Sequence, residues 1–450
     1  MPAKGQMKKE TKKQVKRALK KPTSHKKQIL QSPKGMHDIL PGGMLVREKL
    51  YKSVKAIFEF YGFNRIETPI LEMEELFTKT VGENTDIVEK EMYAIKGRGG
   101  QRLVMRPEMT ASIVRSYLEH GLHRQSQPQY LYYIGPAFRH ENPQAGRYRQ
   151  FWQVGAEIIG GEGDPVYDAQ IILIFYKLLE ELKVKNITVG INSIGGAVDR
   201  QNYKKKLLEH YKDHTKEICK NCVRRMKTNP LRMLDCKNKV CRGVIEEAPI
   251  ILDNLSTPSK THFKGVLEFL DEANIPYILR PRLVRGLDYY NKTVFEIFTG
   301  EGEDSQLALV AGGRYDYLAE TLGKRSTAGV GAAMGVERVL EVLEEQNPAF
   351  GTVRSKKSIY FAHVGQLAKL KSLPLLEKLR QANLPIISNL GKKSLSNQLE
   401  SASKTDATLA LIFGQKEVYE DNIIIRDMKT GSQETVSLEK IVKAVKKKLK

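Results

Sequence analysis

At 450 residues the chain is too long for one small core and suits two or three domains. Hydrophobic residues make up 41% and charged residues 28%, and no apolar run approaches the roughly 20 residues that cross a bilayer, which excludes a helical membrane protein. A formal charge of +22 points to a polyanionic partner, and the lack of a signal-peptide core at the N-terminus makes the cytoplasm the expected location.

Residues 1–32 hold Lys8, Lys9, Lys12, Lys13, Lys16, Arg17, Lys20 and Lys21 with almost no acids, the pattern of a basic, disordered tail. A solubility tail and a transit peptide are the other readings; the excess of Lys over Arg and Ser speaks against the second. Residues 44–61 place Leu45, Leu50, Val54, Ile57 and Phe58 at helical spacing, predicting an amphipathic helix ended by Gly62. A strand is expected over 64–68, stopped by Pro69, followed by a polar segment over 76–86 that could close over a site. Strands over 91–95 and 101–105, joined by a glycine turn, lead to a helix over 111–118. Glu108 stands between strand and helix, where a carboxylate either neutralises the helix start or meets a ligand.

Residues 133–159 read as a strand, an Arg-rich loop and a second strand, with Pro143 and Gly146 marking a long hairpin. Arg139, Arg147 and Arg149 are planar, permanently charged forks that suit a phosphate. Gln153, Gly155 and Glu157 alternate on one strand face and can address one pocket. An anion clamp beside a carboxylate implies a ligand with both a phosphate and a cation. The alternative is a solvated surface hairpin, which must also account for Tyr148, Phe151 and Trp152. A helix over 165–182 completes this block.

Residues 184–273 are Lys-rich and hold every cysteine. Cys219-x2-Cys222, thirteen residues, then Cys236-x4-Cys241 is the spacing of a zinc ribbon or knuckle, able to hold together a small insertion with little core. Four free thiols in a reducing cytosol, or a disulfide pair, are the alternatives; the compartment disfavours the second. After the insertion come Arg280, Arg282, Arg285, Asp288, Tyr289 and Tyr290, then strands over 293–297, 307–311 and 329–334, with Gly312 and Gly313 opening a turn that runs to Asp316. Arg338 lies in the first turn of the next helix, where it opposes the helix dipole, so an anion held nearby is the reason for it. A linker over 347–357 precedes a last domain over 358–450, in which strands and helices alternate as a small α/β sheet ending in a Lys-rich helix.

Six segments resemble, in order and spacing, the histidyl-tRNA synthetase family of class II aminoacyl-tRNA synthetases: GMHDILP at 35–41, RIETPILE at 65–72, RPEMT at 106–110, FRHENPQAGRYRQFWQ at 138–153, LVRGLDYY at 283–290 and GVER at 335–338. The resemblance covers nearly all of the chain from Gly35. It implies an α+β catalytic domain over 33–183 and 274–346, built on a mostly antiparallel six- or seven-stranded sheet flanked by helices. An insertion over 184–273 and a C-terminal α/β anticodon-binding domain over 358–450 complete the expected architecture. It further implies a homodimer that joins L-histidine to histidine tRNA with ATP and Mg²⁺, a possible structural Zn²⁺ being the further ion, with no membrane partner. By that resemblance Arg139 and Arg285 grip the α-phosphate as catalytic residues, and Arg338 holds the terminal phosphates. Glu141, Arg147, Tyr148 and Phe151 complete the ATP site. The histidine site comprises Glu108, Thr110 and Gln153 near the α-amino group and Glu157 with Tyr290 near the ring; Met109, beside Glu108, and Tyr289 are its further residues, packing behind the pocket being the alternative for Tyr289. Met109 and Asn142 depart from the family's usual Gly and basic residue. The alternative of another class is a catalytically silent synthetase paralogue acting as a regulatory or tRNA-sensing subunit.

Overall fold

The computed structural model describes residues 29–83, 85–300, 307–323, 326–350, 358–392 and 394–449. Most of the expected basic tail, and of the linker at 347–357, lies outside the described residues. The chain divides into two units, Met1–Gly351 and Thr352–Lys450.

In the first unit, helix α1 (Pro41–Phe60) begins before its apolar pattern does, because Pro41 in the first turn has its φ preset for a helix. Next come β1 (Asn64–Arg65), β2 (Leu71–Met73), α2 (Glu74–Val81), β3 (Tyr93–Lys96), β4 (Arg102–Met105) and α3 (Thr110–Glu119). β2, β4 and β3 form a small antiparallel sheet. The segment expected over 76–86 as a closing flap is half helix: Leu76, Phe77, Thr80 and Val81 share one face of α2 and are buried, which anchors it.

The long hairpin is β5 (Gln129–Phe138) and β6 (Gln150–Ile159). There follow α4 (Pro165–Glu181), β7 (Ile187–Ser193), α5 (Ala197–Asp213), α6 (Lys220–Thr228), α7 (Thr257–Glu272), β8 (Tyr277–Leu279), β9 (Asn291–Thr299), β10 (Leu307–Arg314), β11 (Gly329–Gly335) and α8 (Val336–Gln346). The large sheet has the order β1-β5-β6-β11-β10-β9-β7-β8. The expected antiparallel sheet is its centre, from β5 to β7, and β1 and β8 extend it to eight strands as short parallel edges. Gly312 and Gly313 do not open a turn. They lie inside β10 opposite Ala332 and Gly331 of β11, and the chain turns only after Arg314.

Side chains alternate across this sheet, and each face has its own core. Tyr132, Val154, Ala156, Ile158, Phe295 and Ile297 pack with α1, α4, α7 and α8 on one side. Leu131, Tyr133, Tyr290 and Val294 pack with α2, α3, α5 and the cysteine-bearing insertion on the other. Gln153, Gly155 and Glu157 alternate with the first set, so they face the second side.

The second unit is a five-stranded sheet ordered β13-β12-β14-β15-β16, with β12 (Ile359–His363), β13 (Ile386–Ser388), β14 (Leu409–Phe413), β15 (Asn422–Asp427) and β16 (Gln433–Ser437). β13, β12 and β14 are parallel and joined through helices Gln366–Gln381 and Leu395–Lys404, while β15 and β16 are added antiparallel. Its core is Ile359, Phe361, Leu379, Leu409, Leu411, Ile423 and Ile441.

Candidate active site

On β6, Glu157 is fully buried and faces three hydroxyl groups. Its Oε1 accepts from Thr110 Oγ1 at 2.9 Å and Tyr133 Oη at 3.4 Å, and its Oε2 accepts from Tyr315 Oη at 2.6 Å. Glycine makes the space. A Cβ on Gly331 of β11, which pairs with Glu157 of β6, would lie 1.6 Å from Glu157 Oε2, and one on Gly155 would lie 2.1 Å from the Tyr133 ring. Burial pushes the Glu157 carboxyl up to about 8, against these hydrogen bonds. Burial also holds Tyr133, Tyr289 and Tyr315 well above the ordinary phenol range, so they stay O–H donors.

Glu108 accepts from the backbone N–H of Thr110 at 2.7 Å and of Ala111 at 3.0 Å, and from Tyr289 Oη at 3.3 Å. The carboxylate therefore both satisfies the open N-terminus of α3 and lines the pocket, which unites the two readings of its position in the sequence. Burial raises its pKa despite those donors. Tyr289 and Tyr290 stand with ring centroids 4.7 Å apart, and Tyr289 meets Tyr315 at 5.9 Å. Met109 is buried, and its Cε lies 3.5 Å from where a Cβ on Gly135 would be. The side-chain oxygen of Gln153 is buried without a partner among the described residues.

Beside this pocket is a cleft of ≈150 Å³ whose walls include Arg139, Arg285 and Arg338, with Glu141, Arg147, Tyr148, Phe151 and Gln153. The three guanidiniums come from far apart in sequence, and each is oriented by a specific contact. Arg139 donates through Nε to the Pro107 carbonyl at 2.9 Å and lies over the Phe151 ring, 5.3 Å from its centroid. Arg338 donates to the Gly146 and Ala308 carbonyls, both at 2.9 Å. Arg285 is paired with Glu296 of β9, and its Nε is buried without a partner among the described residues. Arg147 keeps a long ion pair of 3.8 Å to Glu141. Tyr148 turns its hydroxyl to Glu341 at 2.7 Å, leaving the ring as its contribution to the cleft.

Four participants were not singled out in the sequence: Tyr133, Tyr315, Glu296 and Glu337. Glu337 accepts from Arg47 at 2.6 Å and from the Trp152 backbone N–H at 2.9 Å, tying the start of α8 to β6. Tyr315 is set by a buried network beneath it. Arg314 donates to Asp168 and, at 3.1 Å, to Asp316, whose carboxylate is also held by Asn291 at 2.9 Å. Burial works against ionised Asp168, but Arg314 and His262 outweigh it and hold the carboxyl well below the usual range.

Residues 35–339 match the family model described as histidyl-tRNA synthetase. The chain belongs to the histidyl-tRNA synthetase family. Residues 367–448 match the model of an anticodon binding domain. The chain is 40% identical to the histidine–tRNA ligase of Desulforamulus reducens over 414 residues, 92% of this chain and 98% of that relative. With the histidine–tRNA ligase of Halothermothrix orenii it shares 39% over 418 residues, 93% of this chain and 99% of the other. Among solved structures, the apo histidyl-tRNA synthetase of S. aureus superposes with a TM-score of 0.75 at 32% identity, covering 92% of this chain and 99% of that one. The catalytic unit and the second, separate sheet are thus the architecture of a histidyl-tRNA synthetase.

The insertion brings its four thiols together. All four sulfurs lie within 4.8 Å of one another, with Cys219–Cys236 and Cys222–Cys241 each at 3.8 Å, and the Cys219 N–H donates to Cys241 Sγ at 3.1 Å. A zinc–sulfur bond of about 2.3 Å requires tetrahedral sulfurs about 3.8 Å apart, whereas a disulfide holds them at about 2.05 Å. The donor set fits a tetrahedral thiophilic ion.

Proposed function

We propose that the chain is a histidine–tRNA ligase that activates L-histidine with ATP in this cleft and passes the histidyl group to the 3′ end of histidine tRNA. The observation that carries the reading is the convergence of Arg139, Arg285 and Arg338 on one cleft beside a pocket with two buried carboxyl groups. A silent paralogue has no use for both halves of that arrangement.

Attack of the histidine carboxylate on the α-phosphate builds negative charge between two anions, so the residues' task is positioning and charge stabilisation. Arg139 and Arg285 flank the α-phosphate and offset that charge; Arg338 holds the terminal phosphates. Phe151, already stacked under a guanidinium, offers a ring face to the adenine, with Tyr148 and Arg147 at its margin. Mg²⁺ bound with ATP would supply screening of the phosphate oxygens. Glu141 fits as its carboxylate, being held only by a long ion pair, whereas Glu337 is engaged by two close donors.

The ammonium group of histidine meets Glu108, Thr110 and the unpartnered Gln153 oxygen. The imidazole meets Glu157 and the tyrosines, and a buried site with fixed donors and acceptors rejects side chains that lack matching groups by roughly 10⁴ to 10⁵. The second unit reads the tRNA, its last helix offering Lys443, Lys446, Lys447 and Lys448 to the phosphate backbone. A homodimer is supported by the family and by Ile70, Leu71, Met73 and Ile95, exposed on and beside the small sheet. No described helix is long and apolar enough to cross a membrane; a cytoplasmic location is supported by the substrates, ATP and tRNA. The four cysteines would hold a structural zinc ion, their sulfurs lying within 4.8 Å of one another. ATP–pyrophosphate exchange with each of the twenty amino acids tests the reading: exchange dependent on histidine alone, and lost in Arg285→Ala, supports it. Exchange absent with histidine, or unchanged in Arg285→Ala, overturns it.

A further inference from the structure

We infer that the metal site of the insertion braces the loop carrying Arg285, so that occupancy of the four thiols sets the geometry of the phosphate cleft. The inference rests on the activation reading and on the zinc reading given above.

Residues 280–290 form neither helix nor strand apart from turns, so their position comes from neighbours. Asn192 of β7 donates to the Pro281 and Leu283 carbonyls at 3.2 and 2.9 Å and Arg200 of α5 to the Tyr290 carbonyl at 2.8 Å, and the stretch between the second and third cysteines grips the part of the loop that lies between these anchors. Arg232 donates to the Gly286 carbonyl at 2.7 Å, one peptide beyond Arg285. Asn229 donates to Asp288 at 2.8 Å. Arg225 and Arg232 converge on Asp86 at 3.1 and 3.3 Å, and Arg225 also donates to the Arg232 carbonyl at 3.2 Å. On the other side of Arg285, Arg282 donates to the carbonyl of Ile245 at 2.7 Å, four residues past the last cysteine. Leu283, Val284 and Leu287 pack on the core that also takes in the cysteines.

Leu231, Met233 and Leu234 seat the middle of this gripping stretch in the core, whereas the helix that leads into it has little stability of its own. α6 is a nine-residue helix whose one buried residue is Cys222, and so short a helix is marginal in isolation. A tetrahedral ion pins the stretch at both ends, since Cys222 precedes it and Cys236 follows it. The hydrogen bonds to Gly286, Asp288 and Asp86 are then made from a fixed platform. Without the ion the sheet keeps its residues, but the loop that offers Arg285 loses its outer wall.

Full-length protein from zinc-supplemented culture should contain about one zinc per chain. Removing it with a chelator should raise amide hydrogen exchange across 282–290 and 82–91 while β5 and β6 stay protected, and should slow histidine-dependent pyrophosphate exchange roughly ten- to hundred-fold. Arg232→Met should retain zinc and give both effects, and Arg232→Lys, which keeps a donor for the Gly286 carbonyl, should recover part of the loss. Unchanged protection over 282–290 and unchanged turnover in zinc-free protein, or in zinc-loaded Arg232→Met, would overturn the brace. If stripping unfolds the whole chain, seen as lost far-ultraviolet dichroism, the Arg232 variants decide alone. Zinc-free protein with four reactive thiols from the supplemented culture overturns the zinc reading. Zinc-dependent protection in a protein with no exchange activity overturns the activation reading instead.

Discussion

Replacing Glu157 with Gln should make the ligand-free protein relatively more stable as pH rises. The fold favours the neutral carboxyl, which is pushed up from 4.5 to about 8 by burial. Stability from that preference is fully present below the unfolded pKa, near 4.5, and is lost as pH rises through about 8. Over that interval, at about 1.4 kcal/mol per pH unit, the loss is on the order of 5 kcal/mol. Glutamine is close in shape and does not titrate, so the variant lacks this slope. Thermal or urea unfolding of both proteins at several pH values between about 5 and 8 provides the assay. The difference, variant minus wild type, should climb steadily across the window, over a constant offset from rearranged hydrogen bonds to Tyr315 and Thr110. Parallel profiles, or a difference that shrinks with pH, would refute the argument that Glu157 is held neutral by desolvation. The same substitution should raise the histidine KM of pyrophosphate exchange, because the pocket then lacks the anion that an imidazolium or ammonium group would induce.

Tyr315→Phe leaves one oxygen of Glu157 without its donor, and a loss of about 1–3 kcal/mol in stability with a raised histidine KM is expected; chemical denaturation and exchange kinetics check both. Asp168→Asn leaves buried Arg314 with only the Asp316 carboxylate as partner anion and should cost up to about 3–5 kcal/mol at neutral pH. Because the Asp168 carboxyl is held below the ordinary value, that stability is present above the unfolded pKa of 3.8 and fades as pH falls. The gap between variant and wild type should therefore narrow in acid, and a gap that widens there would contradict the assignment.

The side chains that were legible in the sequence are those whose placement depends on local period or on residue type. Gln153 and Glu157 share a face because a strand alternates, and fixed guanidiniums announce an anion wherever they stand. What stayed hidden depends on register. Tyr133 matters because it sits opposite Gly155, and no feature of either residue alone reveals that pairing. Arg314 and Tyr315 followed two glycines that look like a turn, but those glycines are strand residues, kept small by close approach. A Cβ on Gly312 would lie 2.3 Å from the Gly331 carbonyl, and one on Gly313 2.5 Å from that of Thr293. The edge strands β1 and β8 are short and pair in parallel through long connections, so neither has a turn signal beside it. α2 was misread because its charged residues masked a stripe of three apolar residues, Leu76, Phe77 and Val81, with Thr80 beside them.

The pairing of Arg285 with Glu296 means that the cleft is internally neutralised on one side. An incoming anion has to separate two opposite charges before it gains a guanidinium. A lone chloride or inorganic phosphate, with few other contacts, has little with which to offset that separation. A triphosphate long enough to reach Arg139 and Arg338 as well would have the further contacts to offset it. On the proposed reading the cleft would therefore favour a guest long enough to reach all three arginines over a small anion that meets only one.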